Sequence, residues 1–306
     1  MLDIFDSSLV SSTIRMVTPI LLAALGGSLC ARVGIFNVGL EGFILVGAFA
    51  AIVGNHFTGS LLLALLFAAL VTLLFSLLFG YMTVHLRANE IVVGVAINFL
   101  GLGLTTFLLR AVFGVKGAFY DKDMQGLPQL QIPVLHDIPV LGPIISGHSP
   151  LVYVSFAAAV LLYLFYYRSV TGFRLRAVGM NVNAAKSIGL NTVRLQYLAI
   201  SLCGILCGLA GAQLSLGQVT MFTEGMAAGR GFIALVAMML GQSHPFGILA
   251  SSLLFGLMDA ISIRLQGFSL PTQFTAMLPY ILTIAAMFFL KDRGMGNNRA
   301  TQQSSR

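Results

Sequence analysis

From Ser60 to Val84 the chain carries no charged residue, and from Leu61 to Leu74 it is apolar on every side. A helix crossing the hydrocarbon of a bilayer needs about 20 such residues, and a run without a polar face has no side to turn toward water. A membrane β-barrel would instead alternate apolar and polar residues in short segments. The chain therefore reads as all-α: a polytopic transmembrane helical bundle. Composition agrees, since 58% of residues are hydrophobic and only 9% charged, with a mean hydropathy of +0.94. Soluble domains carry roughly a quarter charged residues, so a soluble enzyme is excluded. The length allows about eight to ten spans with short loops, as one transmembrane domain over residues 1–306.

Apolar runs between charged or Gly/Pro punctuation place spans near 14–31, 35–54, 60–84, 90–112, 150–167, 195–215, 231–243, 247–265 and 276–290. The segment at 231–243 covers about half a bilayer at 1.5 Å per residue, so it is expected to be re-entrant, broken or extended. The 168–194 connection carries Arg168, Arg174, Arg176, Lys186 and Arg194 with no acid, and the tail carries Lys291, Arg293, Arg299 and Arg306. Both are expected on the cytoplasmic side. Asp3 and Asp6 place the N-terminus outside, and this region lacks the basic start of a cleavable signal. Threading then puts Arg32, the His85-Leu86-Arg87 turn, the 168–194 loop, His244 and the C-terminus inside. The net charge of +7 is scattered between apolar runs and forms no stripe, so no nucleic-acid partner is expected.

An internal echo links Glu41-Gly42-Phe43-Ile44 to Arg230-Gly231-Phe232-Ile233, each beside a Glu-Gly pair, Glu41-Gly42 or Glu224-Gly225. The first copy runs outward and the second inward. An inverted pair of interrupted helices points to a substrate path near the midplane of a transporter.

Polar residues among the apolar runs are the candidate site. In Gly34-Ile35-Phe36-Asn37-Val38-Gly39-Leu40-Glu41-Gly42 three glycines, an asparagine and a glutamate sit between two strongly apolar runs, and a broken or tightly packed helix is expected. An ionised Glu41 must face water, a partner or the headgroups, and Asn37 reads either as a pathway residue or as a cap. Glu90, Gly94 and Asn98 share one helix face that should turn toward protein. Gln213 and the mid-span Asp259 are further pathway candidates, Asp259 with Arg264 nearby. Glu224 and Arg230 are placed to pair across the Gly225 and Gly229 turn, as a structural ion pair or a gate. Gly204, Gly208 and Gly211 make a small-residue helix contact. The basic inner loop holds a short helix at Asn183-Ala184-Ala185-Lys186, with Asn183 as its cap and Gly189 at its end. The outer 113–149 connection is stiffened by Pro128, Pro133, Pro139 and Pro143 and is a plausible docking surface. Cys30, Cys203 and Cys207 fit no zinc or redox spacing, and neither a phosphate loop nor a zinc-protease motif is present. The chain itself is not expected to be an enzyme or to hold a cofactor or metal.

The Gly34–Gly42 run, Ala88-Asn89-Glu90-Ile91 with Asn98, and Arg176-Ala177-Val178-Gly179-Met180-Asn181 followed by Ala184-Ala185-Lys186-Ser187-Ile188-Gly189 resemble bacterial ABC importer permeases of the branched-chain amino acid and ribose superfamily. The Phe-Asn-x-Gly-x-Glu-Gly form is similar to the nucleoside branch. The likeness covers residues from about 20 to 290. It implies a type II-like importer permease in the bacterial cytoplasmic membrane, paired with a homologous second permease. Two copies of a cytoplasmic ATP-binding subunit and an extracytoplasmic substrate-binding lipoprotein complete the assembly. It further implies that Arg176, Ala184, Ala185, Lys186 and Gly189 belong to the loop that couples to the ATPase. Asn37, Glu41 and Asn98 would lie beside the translocation path. The run Val92-Val93-Gly94-Val95-Ala96-Ile97 departs from the longer partner of such pairs in lacking a Thr. The favoured substrates are purine nucleosides such as guanosine. Ribose or another sugar, branched-chain amino acids, and an ion-coupled secondary transporter using Glu41 or Asp259 stay open as alternatives.

Overall fold

The computed structural model describes residues 7–122, 124–131, 146–266, 277 and 281. Apart from Met277 and Ile281, the last expected span, and with it the basic tail, Asp3, Asp6, Pro133, Pro139 and Pro143, lie outside the described residues. Helices dominate: α1 (Ser7–Ala31), α2 (Leu40–Thr58), α3 (Leu61–Gly80), α4 (Glu90–Phe113), α5 (Pro150–Arg168), α6 (Val170–Met180), α7 (Val182–Ser187), α8 (Thr192–Ala212), α9 (Arg230–Leu240) and α10 (Pro245–Gln266). Two short strands, β1 (Ala118–Phe119) and β2 (Phe222–Thr223), pair antiparallel. Among the described residues seven helices are long and apolar enough to cross a membrane, and α9 is a shorter apolar helix. Among the described residues the first eight expected spans each meet a helix, with the first beginning at Ser7 and not at 14 and the second at Leu40 and not at 35.

Burial separates an inner from an outer set. In α1 every residue from Ile20 to Leu25 is fully buried, and α2 buries most of its length. These two pack with α8, while α3, α4, α5 and α10 surround them. The outer helices expose Leu62, Phe99 and Phe107 by 66–71%. In hydrocarbon such exposure costs nothing, so close helix contact must come from packing and not from hiding apolar surface. Small residues provide it. A Cβ on Gly47 would lie 2.7 Å from the Gly208 Cα, and one on Gly211 would overlap the Ile44 carbonyl, so α2 and α8 touch backbone to backbone. The expected small-residue contact of α8 is therefore present, with α3 on its other side at Thr72 and Ser76. Both hydroxyls bond their own helix, Thr72 to the Ala68 carbonyl at 2.7 Å and Ser76 to that of Leu73 at 2.8 Å, so neither needs a partner elsewhere.

The two ends of the bundle differ. At one end lie Arg32, Arg87, Arg176 and Lys186, in the walls of two polar cavities. This basic end is the one that the threading expects on the cytoplasmic side. The inner loop forms two helices, α6 and α7. The cap of α7 is Asn181 and not Asn183: its side chain accepts from the Asn183 and Ala184 N–H groups at 3.0 Å, because an Asx cap bonds the N–H groups two and three residues onward. Gly189 follows in the left-handed region at φ +82°.

At the other end the 113–149 connection is tied down more than its Pro content foretells. Phe119 stacks on Phe113 at 3.8 Å, His56 Nδ1 lies 2.9 Å from Asp121, and Asn55 donates to the Gln125 carbonyl at 2.9 Å. β1 bonds β2 beyond α8, a pairing across about a hundred residues that local sequence cannot signal.

We expect Gly47→Val to force α2 and α8 apart and cost about 1–3 kcal/mol, lowering the unfolding midpoint of the detergent-solubilised chain. Gly103→Ala, with open space around its Cβ, should leave that midpoint unchanged.

Candidate functional site: a junction of two helix starts

Between Ala31 and Leu40 the chain is not helical, and α2 starts inside the bundle. Its first turn lies against Ile97, Asn98 and Gly101 of α4. Asn98 is eight residues from the inner end of α4, about 12 Å along the axis. The second copy of the echo starts α9 at the same level: a Cβ on Gly231 would overlap the Glu41 backbone. From there α9 runs back to the basic end of the bundle, where Arg32 donates to the Ser243 carbonyl just past its end at 2.8 Å. The two interrupted helices thus meet start to start and run in opposite directions.

Glu41 joins them. Its Oε1 accepts the Gly229 N–H at 2.7 Å and its Oε2 the Gly231 N–H at 2.7 Å, so one carboxylate caps α9 while sitting in the first turn of α2. Gly229 takes the left-handed region, φ +83°, and Gly231 has no side chain, which lets the carboxylate reach both amides. Each helix start carries about half a positive charge, and the carboxylate offsets both.

Asn98 holds the preceding strand of chain. Its Oδ1 accepts the Gly42 N–H at 2.8 Å and its Nδ2 donates to the Val38 carbonyl at 3.0 Å. Glu90 accepts the Phe36 N–H, and a Cβ on Gly94 would press on Gly39 and Val38 at 3.0 Å. The Glu90, Gly94 and Asn98 face therefore turns toward protein, as its spacing predicts, and all of it grips residues 36–42. Asn37 is 2% exposed; its Oδ1 accepts the Gly39 N–H at 2.9 Å, and its Nδ2 points at the sulfurs of Cys203 and Cys30 at 3.6 and 3.9 Å. The cysteines pack around that amide.

Other candidates take different partners from those expected. Glu224 does not pair with Arg230: it accepts from Arg110 at 3.4 Å and the Gly117 N–H at 3.2 Å. Position 224 belongs to the outer β2 end, whereas Arg230 opens α9 within the bundle, so the turn between them separates the two charges. Arg230 faces Asp259 instead, Nε to Oδ2 at 3.8 Å, and Arg264, the other expected neighbour of Asp259, bonds Ser8. Gln213 is fully buried at the π-turn ending α8 and accepts the Ser149 hydroxyl at 2.8 Å. In the inner loop Ala185 is 2% exposed and faces the bundle, so it offers no side chain to a partner. Ala184, Lys186 and Ile188 are exposed, Ile188 by 73%, and Arg176 stands on α6, stacked over Tyr167. Sequence reading passed over Gly229 and Gly231 as ligands of Glu41, although the echo that places Gly231 one residue after Arg230 was the available signal.

With this geometry in view, the comparisons decide the family. Residues 9–287 match the model of the branched-chain amino acid transport system permease component. The chain belongs to that family. It is 36% identical over 294 residues to the guanosine ABC transporter permease protein NupQ of Bacillus subtilis, covering 92% of this chain and 91% of that protein. It is 34% identical over 290 residues to the nucleoside permease NupC of Lactococcus lactis, covering 91% and 90%. A second guanosine permease of Bacillus subtilis, NupP, is 30% identical over 253 residues, covering 81% and 71%. Among solved structures, an inward-facing one assigned to the metal-chelate type of ABC transporter aligns with a TM-score of 0.51 at 18% identity, covering 90% of this chain and 84% of that one. This likeness supports the permease fold. The chain is a multi-pass membrane permease of the ABC importer class.

Glu41→Gln keeps one acceptor but turns an amide N–H toward a backbone N–H at the junction. We expect a loss of about 2 kcal/mol in stability, because two part-buried charge-assisted bonds to backbone amides are involved. An unfolding midpoint equal to wild type, measured in detergent, would return Glu41 to a solvated role.

Proposed function

We propose that this chain is a permease subunit of an ATP-driven importer of nucleosides, with purine nucleosides such as guanosine favoured. The similarity to NupQ along almost the whole of both chains carries the reading. The chain's similarity to both NupQ and NupP of one organism supports pairing with a homologous second permease. ATP would be hydrolysed on two cytoplasmic subunits, and an extracytoplasmic lipoprotein would deliver substrate.

In this reading the path runs between the two permeases, not through this helix packet. The amide of Asn98, both oxygens of Glu41 and the side-chain oxygens of Asn37 and Gln213 are engaged within the chain, and only the Gln213 Nε2 among these groups is buried without a partner. They shape the wall of the path by fixing the junction, and the junction is the element that would rock as the importer alternates. Asp259 and Arg230 would hold the outer side of α9 against α10. The cytoplasmic surface of Ala184, Lys186 and Ile188 would receive the ATPase, with Gly189 letting the chain turn back into α8.

Uptake of labelled guanosine, adenosine and ribose in cells with the gene deleted and restored tests the substrate. Guanosine uptake that needs both gene and ATP at constant ion gradients is expected; gene-dependent uptake that survives ATP depletion and collapses with the gradient would make this an ion-coupled carrier. Ile188→Asp, on an exposed apolar side chain, should reduce uptake about tenfold or more while the chain remains in the membrane, since a carboxylate desolvated at a contact costs several kcal/mol. Ala185→Asp should instead lower the amount of folded chain, because its side chain is buried.

A further inference from the structure

A second polar cavity opens at the cytoplasmic end, apart from the junction. It has a volume of about 300 Å³ and is lined by Ala31, Arg32, Tyr167, Arg176, Gly179 and Met180. Two of these six residues are arginines and none is acidic. Each guanidinium is held in place. Arg32 donates through Nε and Nη2 to the Ser243 carbonyl at 3.2 and 2.8 Å and lies 5.6 Å from the Tyr166 ring centre. Arg176 lies over the Tyr167 ring at 4.8 Å. Among the described residues neither arginine is in an ion pair with a carboxylate. The cation–π contacts and the one carbonyl leave most of their ten N–H donors without a protein acceptor.

The depth of the cavity is marked by aromatic side chains beside it. Tyr163 packs against Tyr167 at 5.1 Å and Phe246 at 5.0 Å, and His244 lies 5.7 Å from Tyr167. Tyrosines with one apolar and one wet end collect where a bilayer's acyl chains give way to headgroups. Tyr167 is 41% and Met180 87% exposed, so the cavity is open at the surface beside these rings. Two fixed guanidinium groups match the oxygens of a phosphate, and their aromatic stacking leaves the N–H edges free for it.

We propose that this cavity binds the phosphate of an anionic phospholipid of the cytoplasmic leaflet. The headgroup phosphate would sit between Arg32 and Arg176, with its acyl chains running up the exposed apolar side of α5. The contact would pin α6 to the end of α1, the two elements that flank the break before α2 on one side and α7 on the other. A free phosphate ion has the same chemistry, and the depth of the cavity favours the lipid.

The test is native mass spectrometry of the full chain, purified in detergent and offered phosphatidylglycerol or phosphatidylcholine at equal concentration. One phosphatidylglycerol retained in preference to phosphatidylcholine is expected, with Arg176→Gln weakening its retention about tenfold and Arg32→Gln doing likewise. Arg110→Gln, at the opposite end of the bundle, should leave it unchanged. Among the described residues Arg176 makes no hydrogen bond or ion pair and lies over the Tyr167 ring, so Arg176→Gln is expected to fold even where loss of the Arg32 bond to Ser243 disturbs the chain. Equal retention of both lipids, or anionic retention untouched by Arg176→Gln, overturns the proposal. Displacement of the bound lipid by millimolar inorganic phosphate with equal affinity assigns the site to a soluble anion and also overturns it. None of these readouts depends on which substrate the transporter carries.

Discussion

A single carboxylate lets two helices begin inside the apolar slab. A helix start leaves its first N–H groups without acceptors, and in hydrocarbon no water replaces them. Two starts facing each other add repulsion, because both dipoles point their positive ends at the same place. Glu41 answers both difficulties, since its two oxygens take the Gly229 and Gly231 amides and its charge lies at the meeting point. Without that side chain α9 would have to begin at a membrane surface, and Arg230–Leu240, with only 11 residues, is too short to cross from one.

The rest of the break is closed by the same rule. Opening the chain between Ala31 and Leu40 frees backbone groups that a continuous helix would satisfy. Asn37 takes the Gly39 amide, Asn98 takes the Gly42 amide and the Val38 carbonyl, and Glu90 takes the Phe36 amide. Each polar side chain that stands out in the apolar sequence around the break thus answers a specific orphan group of the backbone. Glycines at 42, 94 and 101 make this possible by letting α2 and α4 approach until side-chain amides span the gap; a Cβ on Gly42 would sit 2.7 Å from the Ile97 carbonyl.

Much of this was legible in the chain beforehand. Span positions follow from apolar runs of membrane length, which no tertiary contact overrides because no other solvent is available to them. The inverted echo located both helix starts, and the three-residue stripe on α4 announced a protein-facing surface. What the sequence could not convey was which polar group meets which. Glu224 and Arg230 are six residues apart and opposite in charge, yet they end at different depths, because the intervening turn carries the chain from the outer strand pair down to the junction. Likewise Asn55 and Gln125, or β1 and β2, are joined by tertiary geometry that leaves no trace in local pattern.

The polar residues of a membrane chain are commonly read as its substrate path, and here that reading needs a second step. A transmembrane carboxylate or amide is costly wherever it sits, so its presence shows that something requires it, without showing what. Broken helices supply their own requirement. Around this junction both oxygens of Glu41 and both ends of the Asn98 amide are taken by the backbone, so these two side chains are committed to the packet before any ligand arrives. A permease that moves a polar solute must then present its binding groups on a surface completed by another chain. The pairing with a homologous second permease proposed above fits the bonding of Glu41 and Asn98, and two related guanosine permeases of one bacterium are both similar to this chain.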